Sequence, residues 1–148
     1  MSSFPFYLYK ISSFLYRHKL ILLSKIVVLI NRLLFGAYIP ASCILSNNVR
    51  FGYGGSGVVL HGRARIGENT IICPGVVIGG SSKHIDVPVI GDNCFIAPGA
   101  KIIGSISIGS GVFIAPNSVV ITNVPNDCLV AGIPAEIKKE NITISDYM

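Results

Sequence analysis

From Leu60 to Val120 the chain repeats itself every six residues, and that period limits what it can fold into. Leu60, Ile66, Ile72, Ile78, Ile90, Ile96, Ile102, Ile108, Ile114 and Val120 are all aliphatic, and only His84 breaks the series. Four residues after most of them comes a second, mostly smaller residue: Ala64, Thr70, Val76, Cys94, Ala100, Ile106, Val112 or Ser118. Between the two, three residues after the aliphatic one, stand Asn69, Gly75, Asn93, Gly99, Gly111 and Asn117. Gly and Asn enter the left-handed backbone region at least cost, so the chain turns a corner once per hexad. Short strands joined by regular corners, stacking one continuous core, make an all-β solenoid. A helix would need apolar residues three and four apart, which a period of six does not supply.

Two places break the rhythm. Ile39, Leu45 and Phe51 keep one phase, then Leu60 restarts the count nine residues later, so three extra residues bulge within Phe51–Gly57. Between Ile78 and Ile90 the count is kept but the content is lost, with His84 at an aliphatic position and Pro88 at a small one. An excursion from the solenoid is expected over Gly79–Val89, either replacing a strand or interrupting a corner. Irregularities on a rigid scaffold are where sites are usually built.

Around the repeat region, 39–139, lie two flanks. Residues 140–148 show no period and read as a loose C-terminal tail. Residues 1–38 form an N-terminal segment whose stretch Ser13–Phe35 is dense in Leu, Ile and Val, with polar pairs at Arg17-His18, Ser24-Lys25 and Asn31-Arg32 every seven positions. That stripe marks an amphipathic α-helix rather than a membrane span, which needs about 20 apolar residues with few charges. No cleavage site of small residues follows it. The helix packs on the solenoid or on sister subunits, or else lies as a basic interfacial helix on an anionic membrane surface.

Composition agrees. At 148 residues the chain is one domain, with 13% charged and 51% hydrophobic residues, as suits a thin solenoid that buries a large surface in a homo-oligomer. The net charge of +5 belongs to residues 1–38, where Lys10, Arg17, Lys19, Lys25 and Arg32 meet no acid. No basic cluster interleaved with aromatics marks the repeat, which argues against nucleic acid. Of four cysteines, Cys43 and Cys94 fall at small inward positions, and Cys73 and Cys128 lack partners at ligand spacing. Reduced thiols and a cytoplasmic protein are expected, with no disulfide and no metal site.

The hexads Ile66-Gly-Glu-Asn-Thr-Ile and Ile90-Gly-Asp-Asn-Cys-Phe resemble those of the hexapeptide-repeat acyltransferases. Gly57-Val-Val-Leu60 through Gly75-Val-Val-Ile-Gly-Gly80, Pro98-Gly-Ala-Lys-Ile-Ile-Gly104 and Ala131-Gly-Ile-Pro-Ala135 look like the serine acetyltransferase branch of that family. The resemblance covers about residues 39–139. It implies a left-handed parallel β-helix, a homotrimer, and acetyl transfer from acetyl-CoA to a hydroxyl.

Deprotonating an alcohol as it attacks a thioester calls for a base with a pKa near neutrality, and His is the natural choice. His18 lies in the N-terminal stripe. His61 follows an inward residue and should point outward beside the first break, as the candidate base. His84 lies in the second break, as a base or an acceptor-binding residue. Aligned without gaps, the Asp-His pair of serine acetyltransferases falls on Tyr53 and Gly54, so that base is missing from its usual place. Tyr53 is then a candidate for the acceptor pocket, and Arg63 and Arg65 for holding an anionic substrate. For the cofactor the resemblance implies a groove between subunits. Gly79, Gly80, Ala97, Gly99 and Ala115 are small enough to let the pantetheine approach, and Lys138 and Lys139 are candidates for the CoA phosphates.

The missing pair, the short N-terminal region, and a C-terminus at Met148 without the terminal Ile of serine acetyltransferases all turn the expected acceptor toward a sugar or glycan precursor, in polysaccharide biosynthesis. Serine O-acetylation with a relocated base is the first alternative. A catalytically silent β-helix, serving as scaffold or binding subunit, is the second.

Overall fold

The computed structural model describes residues 4–82 and 85–147. Its centre is a parallel β-helix of three sheets. Sheet I joins β1 (Ile44–Leu45), β4 (Arg65–Ile66), β7 (Val89–Ile90) and β10 (Ser107–Ile108). Sheet II joins β2 (Arg50–Phe51), β5 (Ile71–Ile72), β8 (Phe95–Ile96), β11 (Phe113–Ile114), β13 (Leu129–Gly132) and β14 (Ala135–Lys139). Sheet III joins β3 (Val59–Leu60), β6 (Val77–Gly79), β9 (Lys101–Ile103) and β12 (Val119–Val120). Every pairing is parallel except β13 with β14. The chain visits the sheets in the order I, II, III, as expected of the left-handed β-helix that the hexads imply.

The hexad explains the core directly. The ten aliphatic residues of the hexad series, Leu60 to Val120, are at most 3% exposed, and those of one sheet stack in register, as Ile72, Ile96 and Ile114 do. The small position must fit beneath a corner, and Ala64, Thr70, Val76, Cys94, Ala100, Val112 and Ser118 are all buried. Asn69, Asn93 and Asn117 take φ of 54–56°, and Gly75, Gly99 and Gly111 take 68–75°, so the chain turns left-handed at the corners from sheet I to II and from II to III. At the corners from III to I the equivalent Arg63, Ser105 and Asn123 do not take positive φ, so the turn is not made once in every hexad. Asn69 and Asn93 also bond to each other along the stack, Nδ2 to Oδ1, at 3.2 Å.

Register locates both breaks. Val89 pairs with Ser107, eighteen residues on, which is three hexads. Arg65 pairs with Val89, twenty-four residues on, so the second break adds one hexad to its coil. It interrupts the corner between β6 and β7 and replaces no strand. The first break adds three residues, since Arg50 pairs with Ile71. They form a tight turn at Gly52–Gly55, where Tyr53 has a φ of 48° and Gly54 of 72°.

The N-terminal segment departs from expectation. One helix over Ser13–Phe35 was indicated; two form, α1 (Phe4–Arg17) and α2 (Ile21–Phe35), packed as a hairpin. Lys19, at a φ of 62°, breaks the run, and the amides of His18 and Leu20 close the end of α1 onto Phe14 and Leu15 carbonyls. The polar stripe is divided. Ser24 and Asn31 turn inward, where Ser24 Oγ donates to Ser12 O at 2.8 Å and Asn31 Nδ2 to Pro5 O at 3.1 Å. The aliphatic side chains of α2 face outward. Tyr9 pins α1 to the first coil, donating its hydroxyl to Cys43 O at 2.8 Å and accepting from Leu45 N–H at 3.1 Å. No helix among the described residues is long and apolar enough to cross a membrane.

Nor is the C-terminus loose over its described part. The amide of Ile142 donates to Asp127 O at 2.9 Å, and a short 3-10 turn at Ile144–Tyr147 lays Tyr147 against Phe113, ring centres 5.1 Å apart. Phe113 in turn stacks on Phe95.

Candidate active site

The candidate residues fall on two different edges of the prism. Where sheet III turns into sheet I, His61 follows β3 and its amide donates to Ile78 O at 2.8 Å, which sets it over Gly79 of the next coil. Gly80 comes next, close enough to Val87 that a Cβ there would lie 3.1 Å from Val87 Cγ1. Arg63 stands on the same corner and Arg65 at the outward position of β4. This edge therefore gathers His61, Arg63, Arg65, Gly79 and Gly80. His84 lies outside the described residues.

Below the arginines, the extra hexad forms one wall of a groove of about 500 Å³. Arg63 and Arg65 line it with Asp86, Ser105, Ser107 and Asn123, over an apolar lining from Ile85, Val87, Val89 and Ile106. Among the described residues the one ion pair is Lys138 with Glu136, so the guanidinium groups and the Asp86 carboxylate are not spent on one another. Asp86, Ser105, Ser107 and Asn123 are absent from the sequence-derived candidates. The hexad does carry a signal for Ser107, which holds the outward position of Arg65 two coils on, through Val89. Asp86 belongs to a corner whose path the period does not give.

His61 has a defined hydrogen bond. Its Nδ1 accepts the backbone N–H of Arg63 at 3.1 Å. A neutral imidazole with Nδ1 as acceptor carries its proton on Nε2, so the outer nitrogen is a donor in this arrangement.

The other edge, where sheet II turns into sheet III, holds Tyr53, Ala97, Gly99 and Ala115. Tyr53 is 93% exposed and touches no part of the groove. Ala97 was expected to face outward to the pantetheine; it is 2% exposed, roofed by its own coils, and only Ala115 of the pair reaches the surface. Gly99 is required by the corner itself, because a Cβ at its φ of 75° would collide with Asn117 Oδ1. Lys138 and Lys139 lie on the last strand, β14. Lys138 Nζ meets Glu136 at 2.9 Å, and Lys139 Nζ reaches the Tyr147 hydroxyl at 3.4 Å.

Residues 88–122 match the family described as bacterial transferase hexapeptide (six repeats). A curated relative, serine acetyltransferase of Synechococcus elongatus, is 33% identical over 131 residues, 87% of this chain and 53% of that protein. Among solved structures, serine acetyltransferase of Neisseria gonorrhoeae in complex with serine superposes with a TM-score of 0.84 at 31% identity, over 91% of this chain and 55% of that one. A serine acetyltransferase in complex with CoA gives 0.83 at 27% identity, over 90% and 55%. The chain thus spans about half the length of the proteins it resembles. These relatives overturn the expectation of a sugar or glycan hydroxyl as acceptor: the serine branch is the one they carry. That expectation gave too much weight to the missing Asp-His pair, which is a local change in a corner. The likeness in repeat, coil and sequence runs through most of the chain, and it supports kinship with the hexapeptide-repeat transferases.

Proposed function

We propose that the chain transfers an acetyl group from acetyl-CoA to the hydroxyl of L-serine. The observation that carries the reading is the groove lined by Arg63 and Arg65; His61 is not part of its lining and is tied to it through the Arg63 amide. The groove presents two guanidinium groups and one carboxylate over an apolar floor, a match for an amino acid zwitterion. Arg63 and Arg65 would hold the serine carboxylate, and Asp86 its ammonium group. The serine oxygen attacks the thioester carbonyl, the carbon–sulfur bond breaks, and the hydroxyl proton ends on the departing CoA thiol.

His61 is the group proposed to move that proton. Its basic lone pair is at Nδ1, so proton uptake requires the bond to Arg63 N–H to open as the acceptor enters. A homotrimer fits the split of the candidates between edges. The edge carrying Tyr53 and Ala115 on one copy would face the edge carrying His61 and Gly79 on the next, with acetyl-CoA between them. Lys138 and Lys139, each engaged locally, remain the candidates for its phosphates.

The test is thiol release from acetyl-CoA with and without L-serine, in wild type and in Arg65→Gln. Serine-dependent release with a KM raised about tenfold or more in the variant is expected, from loss of a charged hydrogen bond. Equal release with and without serine would refute the reading.

A further inference from the structure

We infer that α2 docks on an anionic lipid surface. Leu22, Ile26, Leu29, Ile30, Leu33 and Leu34 are spaced i, i+4, i+7, i+8, i+11 and i+12, the spacing of one helix face. In a soluble helix that face is the buried one. Here all six are exposed, Leu22 and Leu33 by 73% and 74%, because Ser24 and Asn31 take the inward side against α1. On α1, Phe4, Tyr7, Ile11 and Phe14 form a second exposed stripe. So much contiguous apolar surface marks an interaction site.

Charge selects the occupant. Lys25 and Arg32 flank the aliphatic face, beside a groove of about 380 Å³ that they line with Leu29, Tyr16 and Tyr38. With Lys10, Arg17 and Lys19 they give the segment five positive charges and no negative one. A second copy would meet this face with like charges. An anionic bilayer offers the complement: headgroups for the cations, and acyl chains for side chains inserted to the shallow depth of an interfacial helix. Raising salt screens the charges and leaves the apolar contact.

The experiment is flotation of the full chain with phosphatidylcholine vesicles, with and without phosphatidylglycerol. Binding to the anionic vesicles alone is expected. Each basic residue at such a surface is worth about fivefold in partitioning, so Lys25→Gln with Arg32→Gln should lower binding about thirtyfold. Leu22→Ser with Leu33→Ser should abolish it. All four side chains are exposed, and an unchanged helical circular dichroism signal confirms folding. Thiol release measured without vesicles is expected to be the same in both variants, which separates this docking from the acetyl transfer. Failure to float, or flotation that neither variant alters, would overturn the inference. So would a serine substitution that lowers the assembly state in sedimentation without touching vesicle binding, since a second copy would then cover the face.

Discussion

His61 Nδ1 accepts the backbone amide of Arg63, two residues ahead on the same corner, at 3.1 Å. An Asn side chain places its Oδ1 near the position of that Nδ1 and can accept the same bond, but it cannot take a proton. His61→Asn separates the two roles. With proton transfer at His61, kcat falls 10²- to 10⁴-fold, with acetyl-CoA affinity and melting temperature unchanged. Wild-type kcat in the Asn variant would reduce His61 to a corner-forming residue.

Gly75 and Gly99 occupy equivalent corners at φ of 72° and 75°. They differ in what lies beneath. A Cβ on Gly75 meets Gly99 Cα at an ordinary 3.6 Å, whereas on Gly99 it collides with Asn117 Oδ1. Gly75→Ala should therefore cost about 1 kcal/mol of backbone strain, and Gly99→Ala at least twice that, read as urea midpoints. Equal costs would mean that the stack yields where it is drawn tight.

Tyr147 closes a column that begins with Phe95 and Phe113, stacked with centroids 5.3 Å apart and planes 8° apart. Tyr147→Ala removes the outermost ring and should lower stability by about 1 kcal/mol. An unchanged melting temperature would show that the tail contributes nothing in solution.

All four thiols are buried. Burial pushes Cys43 up to about 12 and Cys94 up to about 11. The folded values lie above the unfolded ones, so the native state keeps these protons longer. Stability is full below about pH 9 and falls as pH rises from there through 11 and 12. The urea midpoint should be lower at pH 10.5 than at pH 8, and Ellman's reagent should react with these cysteines only on unfolding. A midpoint independent of pH would contradict the burial argument.

The core and corners were legible because each hexad position has one physical job. Ile96 must be inside, Cys94 must be small, and Asn93 must accept a positive φ. The site was only partly legible, because it forms where the period fails. His61, Arg63 and Arg65 were visible as outward residues, but the groove owes its one carboxylate to Asp86, in a hexad that never becomes a strand. Ala97 misled for a related reason: smallness at a corner serves close stacking as well as ligand approach, and here it is roofed over. The helical hairpin was hidden by its inversion. Ser24 and Asn31 have carbonyl partners across the pair, at Ser12 and Pro5, and a stripe of polar residues does not say which way it faces.

Acetyl transfer to serine is tested most directly by its product. The purified chain is incubated with acetyl-CoA and isotope-labelled L-serine, and O-acetylserine is followed by mass spectrometry. Labelled O-acetylserine formed in step with free CoA, and lost in His61→Asn, is the predicted result. Tight acetyl-CoA binding with no labelled product would contradict it, and would make the chain a β-helix that holds the donor without turning it over.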